Sequence, residues 1–309
     1  MARWEYCGLL HDDAASERSL TPGSVRDSDR ALTPSPRGAT FPNVSTADAG
    51  RPTWVAWAGA IFKSVDWFVP PYKQGGVLRK LASEIDSAPA DQKHAVLEAG
   101  LRRLYGPGHL AAMFLGRYRQ VDHVRGFDVQ IREAIEASAF GLDHAAVATV
   151  LTVLEGVVRR LALAEGRDVG LGTKKLIGEV EALAAGERRA LANMSASTIQ
   201  DGQASALQER VDMVDQIRDF LASRLLENTS NYAGIDSLNR HGILHGVFNG
   251  YGVDTNFHKL ISFLDALVFF ISLRTGVSFF APDPTPEAQA FAAYLLGLAN
   301  SARARPRFA

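Results

Sequence analysis

Apolar residues return every three or four positions through most of the chain after residue 53, the repeat of helices buried along one face. The clearest run is HAAVATVLTVLEGVVRRLALAEG, in which Val147, Val150, Leu151, Leu154, Val157, Val158 and Leu161 make one stripe. Asp143 precedes it as the expected N-cap. Upstream, Trp54, Trp57, Ile61, Val65 and Phe68 share a helical face, and Pro70-Pro71 is expected to end that helix. Further helices are predicted over 76–87 and over 90–105, the latter closed by Gly106-Pro107-Gly108. Another face is formed by Phe127, Ile131, Ala134, Ile135 and Ser138. The remaining predicted helices cover 173–185, 205–227, 236–248, 256–274 and, after the Pro-rich APDPTPE, 286–301.

Hardly any stretch alternates with period two, so the chain reads as all-α, with a helical bundle over its last 180 or so residues. Four regions are expected. Residues 1–52, rich in Ser, Pro, Asp, Gly and Thr, form a flexible segment; 53–115 form an N-terminal helical region; 116–301 form the bundle; 302–309 form a basic tail.

Composition narrows the function only by exclusion. Of 309 residues, 47% are hydrophobic and 22% charged, as in an ordinary globular protein. The formal net charge of −1 gives no global field for nucleic acid or an anionic membrane, so any such contact must be local. The short basic runs LRRLYG, RYRQ, VRR and ARARPR are the only candidates for phosphate contacts in bulk, each more at home on a solvated face. The lone cysteine, Cys7, forms no internal disulfide. The start, MARWEYCGLLHDD, lacks a secretory pattern. LISFLDALVFFISL is shorter than the roughly 20 residues of a membrane span and carries Asp265, so it is expected as a buried helix. A cytoplasmic protein without membrane contact is the resulting expectation.

Against this background NRHGILHG (239–246) is chemically dense. On a helix His241 and His245 share a face, Arg240 and His245 stand about 140° apart, and Ile243 and Leu244 are expected to anchor the opposite side in the core. An imidazole beside a guanidinium suits phosphodiester cleavage. The imidazole exchanges a proton with a ribose hydroxyl or the leaving oxygen, and the guanidinium holds phosphate oxygens while charge grows on them. Glu155 flanks the apolar stripe of its helix, where it either looks into the bundle or pairs at the surface with Arg159, four residues on. Asp236 stands four before Arg240 as another possible partner, Asp254 or Thr255 looks like a helix cap, and His258 is expected to be solvated.

The motif Arg240-His241-Gly242-Ile243-Leu244-His245 resembles the Arg-polar-x3-His signature of the HEPN superfamily. The flanks NRHGILHGVFNGYGVDTNFHKLISFLDALVFF and AIEASAFGLDHAAVATVLTVLEGVVRR are similar to the motif region and the first long helical pair of such proteins, and the likeness covers roughly residues 117–275. The resemblance implies a HEPN-type bundle, a homodimer with a composite cleft, and a metal-independent endoribonuclease that needs no cofactor and acts as a toxin or in phage defence. Its substrate would be RNA, attacked by its own 2′-hydroxyl. Arg240, His245, His241 and Glu155 would then be catalytic, and Asn239 and Arg159 substrate-binding. Residues 1–110, outside the likeness, are left to bind a regulator or protein partner. Two alternatives stand beside this. One is a HEPN-like protein that binds nucleotides or partners without turnover. The other is a metal site on His241 and His245, which lacks the glutamate of His-Glu-x-x-His because Gly242 occupies that place.

Overall fold

In the computed structural model the helical repeat becomes twelve α-helices and no strand among the described residues, which are 52–167, 173–193, 201–234, 236–278 and 280–304. The expected flexible segment therefore lies, but for Pro52, outside the described residues. In chain order the helices are α1 (Trp54–Lys63), α2 (Gly75–Ser87), α3 (Lys93–Leu104), α4 (Pro107–Met113), α5 (Asp122–Arg125), α6 (Asp128–Ala139) and α7 (Asp143–Ala164). They continue with α8 (Thr173–Ala192), α9 (Asp201–Phe220), α10 (Arg240–Leu244), α11 (Asp254–Thr275) and α12 (Pro286–Ala304). Two π-helical turns, Phe114–Tyr118 and Leu221–Leu225, extend α4 and α9.

All seven positions of the α7 stripe are buried. That face packs on α6 and α11, while α8 pairs with α9, α1 with α9 and α2, and α12 with α4. Side chains from Val55 to Leu295 belong to one contiguous core, to which α1–α3 contribute as fully as the later helices. At its centre runs α11, in which every residue from Asn256 to Val268 is buried. It is the one described helix long and apolar enough to cross a membrane, and 89% of its apolar window is buried inside the protein.

Several expected boundaries move, each for a local reason. α1 stops at Lys63, well before the prolines: the Ser64 hydroxyl donates to the Ile61 carbonyl at 2.7 Å, and Asp66 takes a left-handed φ of 58°. Its buried face is Val55, Ala58, Gly59 and Phe62, whereas Trp57 is 39% exposed, so the tryptophan stripe is not the core face. Pro107 does not close α3; it opens α4 at a position where its missing N–H costs nothing. Leu142 and Val253 occupy the N-cap positions expected of Asp143 and of Asp254 or Thr255. The two aspartates are instead first-turn residues, where carboxylates favour the helix dipole. The tail expected from 302 begins inside α12, and 305–309 lie outside the described residues.

Candidate functional site

The largest departure from the expected helices is at the motif itself, where a helix over 236–248 gives way to the five residues of α10. The chain before it is folded into a turn. Ser237 has a left-handed φ of 56°, and the Asp236 carboxylate accepts from the Leu238 amide (3.1 Å), the Tyr232 hydroxyl (2.8 Å) and Lys259 Nζ (2.7 Å). Burial opposes the charge on Asp236, but Lys259 and these donors outweigh it and hold its carboxyl below the usual carboxylate range. Lys259, 1% exposed, also reaches the Val65 carbonyl. The motif turn is thus tied to both α11 and the chain after α1. Asp236 is spent here and does not pair with Arg240.

Asn239 caps α10. Its Oδ1 accepts from the Gly242 amide (2.8 Å), and its Nδ2 donates to the carbonyls of Arg224 (3.2 Å), in the second π-turn, and Glu227 (2.8 Å), just after it. Fully buried, it builds the helix end and is not exposed to a substrate, contrary to the binding role expected of it. Gly242 faces the Phe248 ring so closely that a Cβ there would lie 2.3 Å from it. Gly246, at φ +70°, lets the chain turn out of the helix, as only glycine does cheaply. Of the two apolar residues expected in the core, Ile243 is buried and Leu244 is 38% exposed, because α10 is too short and too near the surface to bury both.

From this capped end Arg240 reaches across to α7. Its Nε and Nη2 donate to Glu155 Oε2 at 3.1 and 2.9 Å, and Arg159 donates to the other carboxylate oxygen. Burial raises the cost of ionising Glu155, yet hydrogen bonds and charge from Arg159 and Arg240 prevail and keep its carboxyl below its ordinary value. The three side chains are only 16–20% exposed. Glu155 and Arg240 border an apolar groove lined by Leu151, Leu154, Val158, Leu225 and Phe263. Two guanidiniums share one carboxylate, so the recess keeps one net positive charge, enough to attract a single phosphate.

His241 and His245 form a separate pair. Both are exposed, with ring centres 4.3 Å apart and planes tilted by 50°. His245 is the C-cap of α10, and its amide donates to the His241 carbonyl. The structure therefore brings Arg240, Glu155 and Arg159 together and sets the imidazoles beside them on the same short helix. No group of three or more His, Cys, Asp or Glu side chains among the described residues is arranged to hold a metal ion. The basic runs are largely committed within the fold: Arg117 is buried on the Phe280 and Gly116 carbonyls, Arg102 pairs with Glu98 and Asp254, and Arg103 pairs with Glu84.

Sequence reasoning missed Lys259 and the carbonyls of the π-turn. A lysine inside an apolar helix, with an aspartate 23 residues earlier, was the only available signal. No protein-family model matches the chain, and neither a curated protein nor a solved structure matches it.

Proposed function

We propose that the protein is a metal-independent endoribonuclease of HEPN type, acting as a homodimer on RNA at a cleft that includes α10. The observation that carries this reading is the Arg240–Glu155 bridge. It holds the motif arginine in a recess one residue before a pair of exposed imidazoles. In the reaction His245, with His241 beside it, takes the proton from a ribose 2′-hydroxyl. The oxygen then attacks the adjacent phosphorus, and the 5′-oxygen leaves with a proton, giving a 2′,3′-cyclic phosphate. Glu155 uses Arg240 Nε and Nη2, which leaves Nη1 to donate to a phosphate oxygen as negative charge develops on it. The single net positive charge of the recess is compatible with a chain of net charge −1, because one scissile phosphate needs a local field only.

One observation favours the second reading, a nucleotide or partner binder without turnover. Glu155 is kept ionised and already occupies both arginines, so a phosphate must share or displace it. The two readings part in one experiment. End-labelled RNA is incubated with purified protein in EDTA, beside Arg240→Ala and His245→Ala, and product ends and dimer mass are analysed. Cyclic-phosphate ends in the wild type, lost in both variants at unchanged mass, are expected. Retained RNA binding without cleavage supports the binder, and cleavage restored only by added metal overturns the metal-independent mechanism.

A further inference from the structure

Three of the described imidazoles are already engaged. His109 meets the Asp265 carboxylate at 3.1 Å, His144 meets the Asn249 carbonyl at 2.9 Å, and His258 is enclosed against Tyr105. His241 and His245 are different. They are the one pair of imidazoles in ring contact among the described residues, and neither ring has a hydrogen bond or ion pair there. Both lie at the surface, where an ion in solution reaches them without any opening of the core.

The fold fixes their spacing. Asn239 caps the start of α10, and the His245 amide donates to the His241 carbonyl at 3.1 Å. The chain leaves through Gly246, with the Val247 amide on the Gly242 carbonyl at 2.8 Å. A full helical turn therefore separates the two side chains and sets both on one face. Two ligands held in this way lose less freedom on meeting one ion than two on a loose chain.

The ring separation narrows the class of ion. A late first-row metal binds an imidazole nitrogen at about 2.0–2.1 Å, which places it about 3.2 Å from the ring centre. Two rings bound at right angles then have centres about 4.5 Å apart, against about 5.2 Å at the tetrahedral angle. The observed 4.3 Å matches the right angle to within a small side-chain rotation. Right-angle coordination by nitrogen belongs to Cu²⁺ and Ni²⁺, whereas Zn²⁺ prefers a tetrahedron and Mg²⁺ and Ca²⁺ prefer oxygen.

We propose that His241 and His245 chelate one Cu²⁺ or Ni²⁺ ion in preference to Zn²⁺, with water filling the other coordination positions. Structural and catalytic zinc centres take three or four ligands from the protein, so two ligands make an open site that both binds and releases its ion. Each imidazole gives the ion a nitrogen lone pair. On His245 that is the lone pair which takes the ribose proton in the nuclease reading. A bound ion therefore silences cleavage, a consequence that rests on that reading; the site itself requires only the two rings.

The test titrates untagged full-length protein with Ni²⁺ in neutral buffer and follows binding by calorimetry. One strongly bound ion per chain is expected. Affinity should fall at least about tenfold in His241→Ala and in His245→Ala, because the second bond of a chelate forms within one molecule. It should be unchanged in His123→Ala, in α5, and lower for Zn²⁺ than for Ni²⁺ in the wild type. A second measurement needs no variant: diethyl pyrocarbonate modifies accessible imidazoles, and saturating Ni²⁺ should slow its reaction with His241 and His245 severalfold but not with His123. Equal affinity in the wild type and both variants, or no protection of the two rings, overturns the proposal. In the RNA assay without EDTA, Ni²⁺ should stop wild-type cleavage at the concentration that fills the site, and EDTA should restore it. Cleavage that continues with the site filled overturns the silencing. A protein that cleaves no RNA overturns the nuclease reading instead, and the titration and protection then decide the site on their own.

Discussion

α10 and the middle of α11 each gather polar residues, and they treat them in opposite ways. On α10 the imidazoles of His241 and His245 point to solvent, while Asn239 and the Arg240–Glu155 bridge bind the short helix to its surroundings. On α11 Asp265, His258 and Lys259 are enclosed, and each meets different neighbours. Lys259 has Asp236, Asp265 has Tyr118 and His109, and His258 has only ring contacts and is driven towards its neutral form. A polar group near water keeps its chemistry at little cost to the fold. One in the core is tolerated only when a specific neighbour answers it.

The sharpest way to break the contrast is Asp265→Ala. It leaves the Tyr118 hydroxyl and His109 buried without their acceptor and is expected to cost about 3–4 kcal/mol, read as a fall in the urea midpoint. A loss under about 1 kcal/mol would mean that water replaces the carboxylate and that the α11 cluster is no more sealed than α10.

A smaller effect separates the histidines by pH. His258 has its proton affinity lowered from 6.5 to about 4, chiefly by burial, with Asp254 opposing and Arg102 assisting. The unfolded chain therefore binds a proton that the fold refuses across this window. Stability from His258 is complete above pH 6.5, falls as the pH drops towards 4, and amounts to about 3 kcal/mol at most. His258→Phe, which keeps a ring against Tyr105, should flatten that part of the stability profile. His245→Phe, an exchange at an exposed position of α10, is the comparison. Identical profiles for both variants would remove the distinction between the two regions.

The smallest expected change lies at the proposed site. Glu155→Gln retains an acceptor for Arg240 and should alter stability by about 1 kcal/mol or less, since such bridges near the surface contribute little. Under the nuclease reading it should still lower RNA cleavage by more than tenfold, because Arg240 loses its orientation. Unchanged cleavage would make the bridge a purely structural contact.

The sequence was most legible where one helix face meets one core. The α7 stripe and the existence of α6 and α9 followed from spacing, and α2, α3, α11 and α12 were also expected near where they stand. It was least legible where long-range partners decide. Trp57 matched a helical stripe as well as Val55 did, and only the packing of α9 and α2 against α1 determined which side was covered. The motif showed the same limit: its residue types were visible, but α10 was expected to be more than twice its length. Glu155 was visible with Arg159 as a candidate partner, and the fold gave it both Arg159 and Arg240. Tyr105 and His109 are neighbours four residues apart, but Lys73 and Asp265 come from distant segments with no spacing that links them to this pair.

What the sequence determined by itself was the helical class of the chain, because the three-to-four repeat leaves a buried stripe that only helices can pack. It also supplied the polar motif and its chemistry. Tertiary structure alone decided which polar groups stay accessible, which are neutralised and which are satisfied. Those outcomes depend on the charge and dielectric contributed by distant segments, whose approach no local pattern encodes.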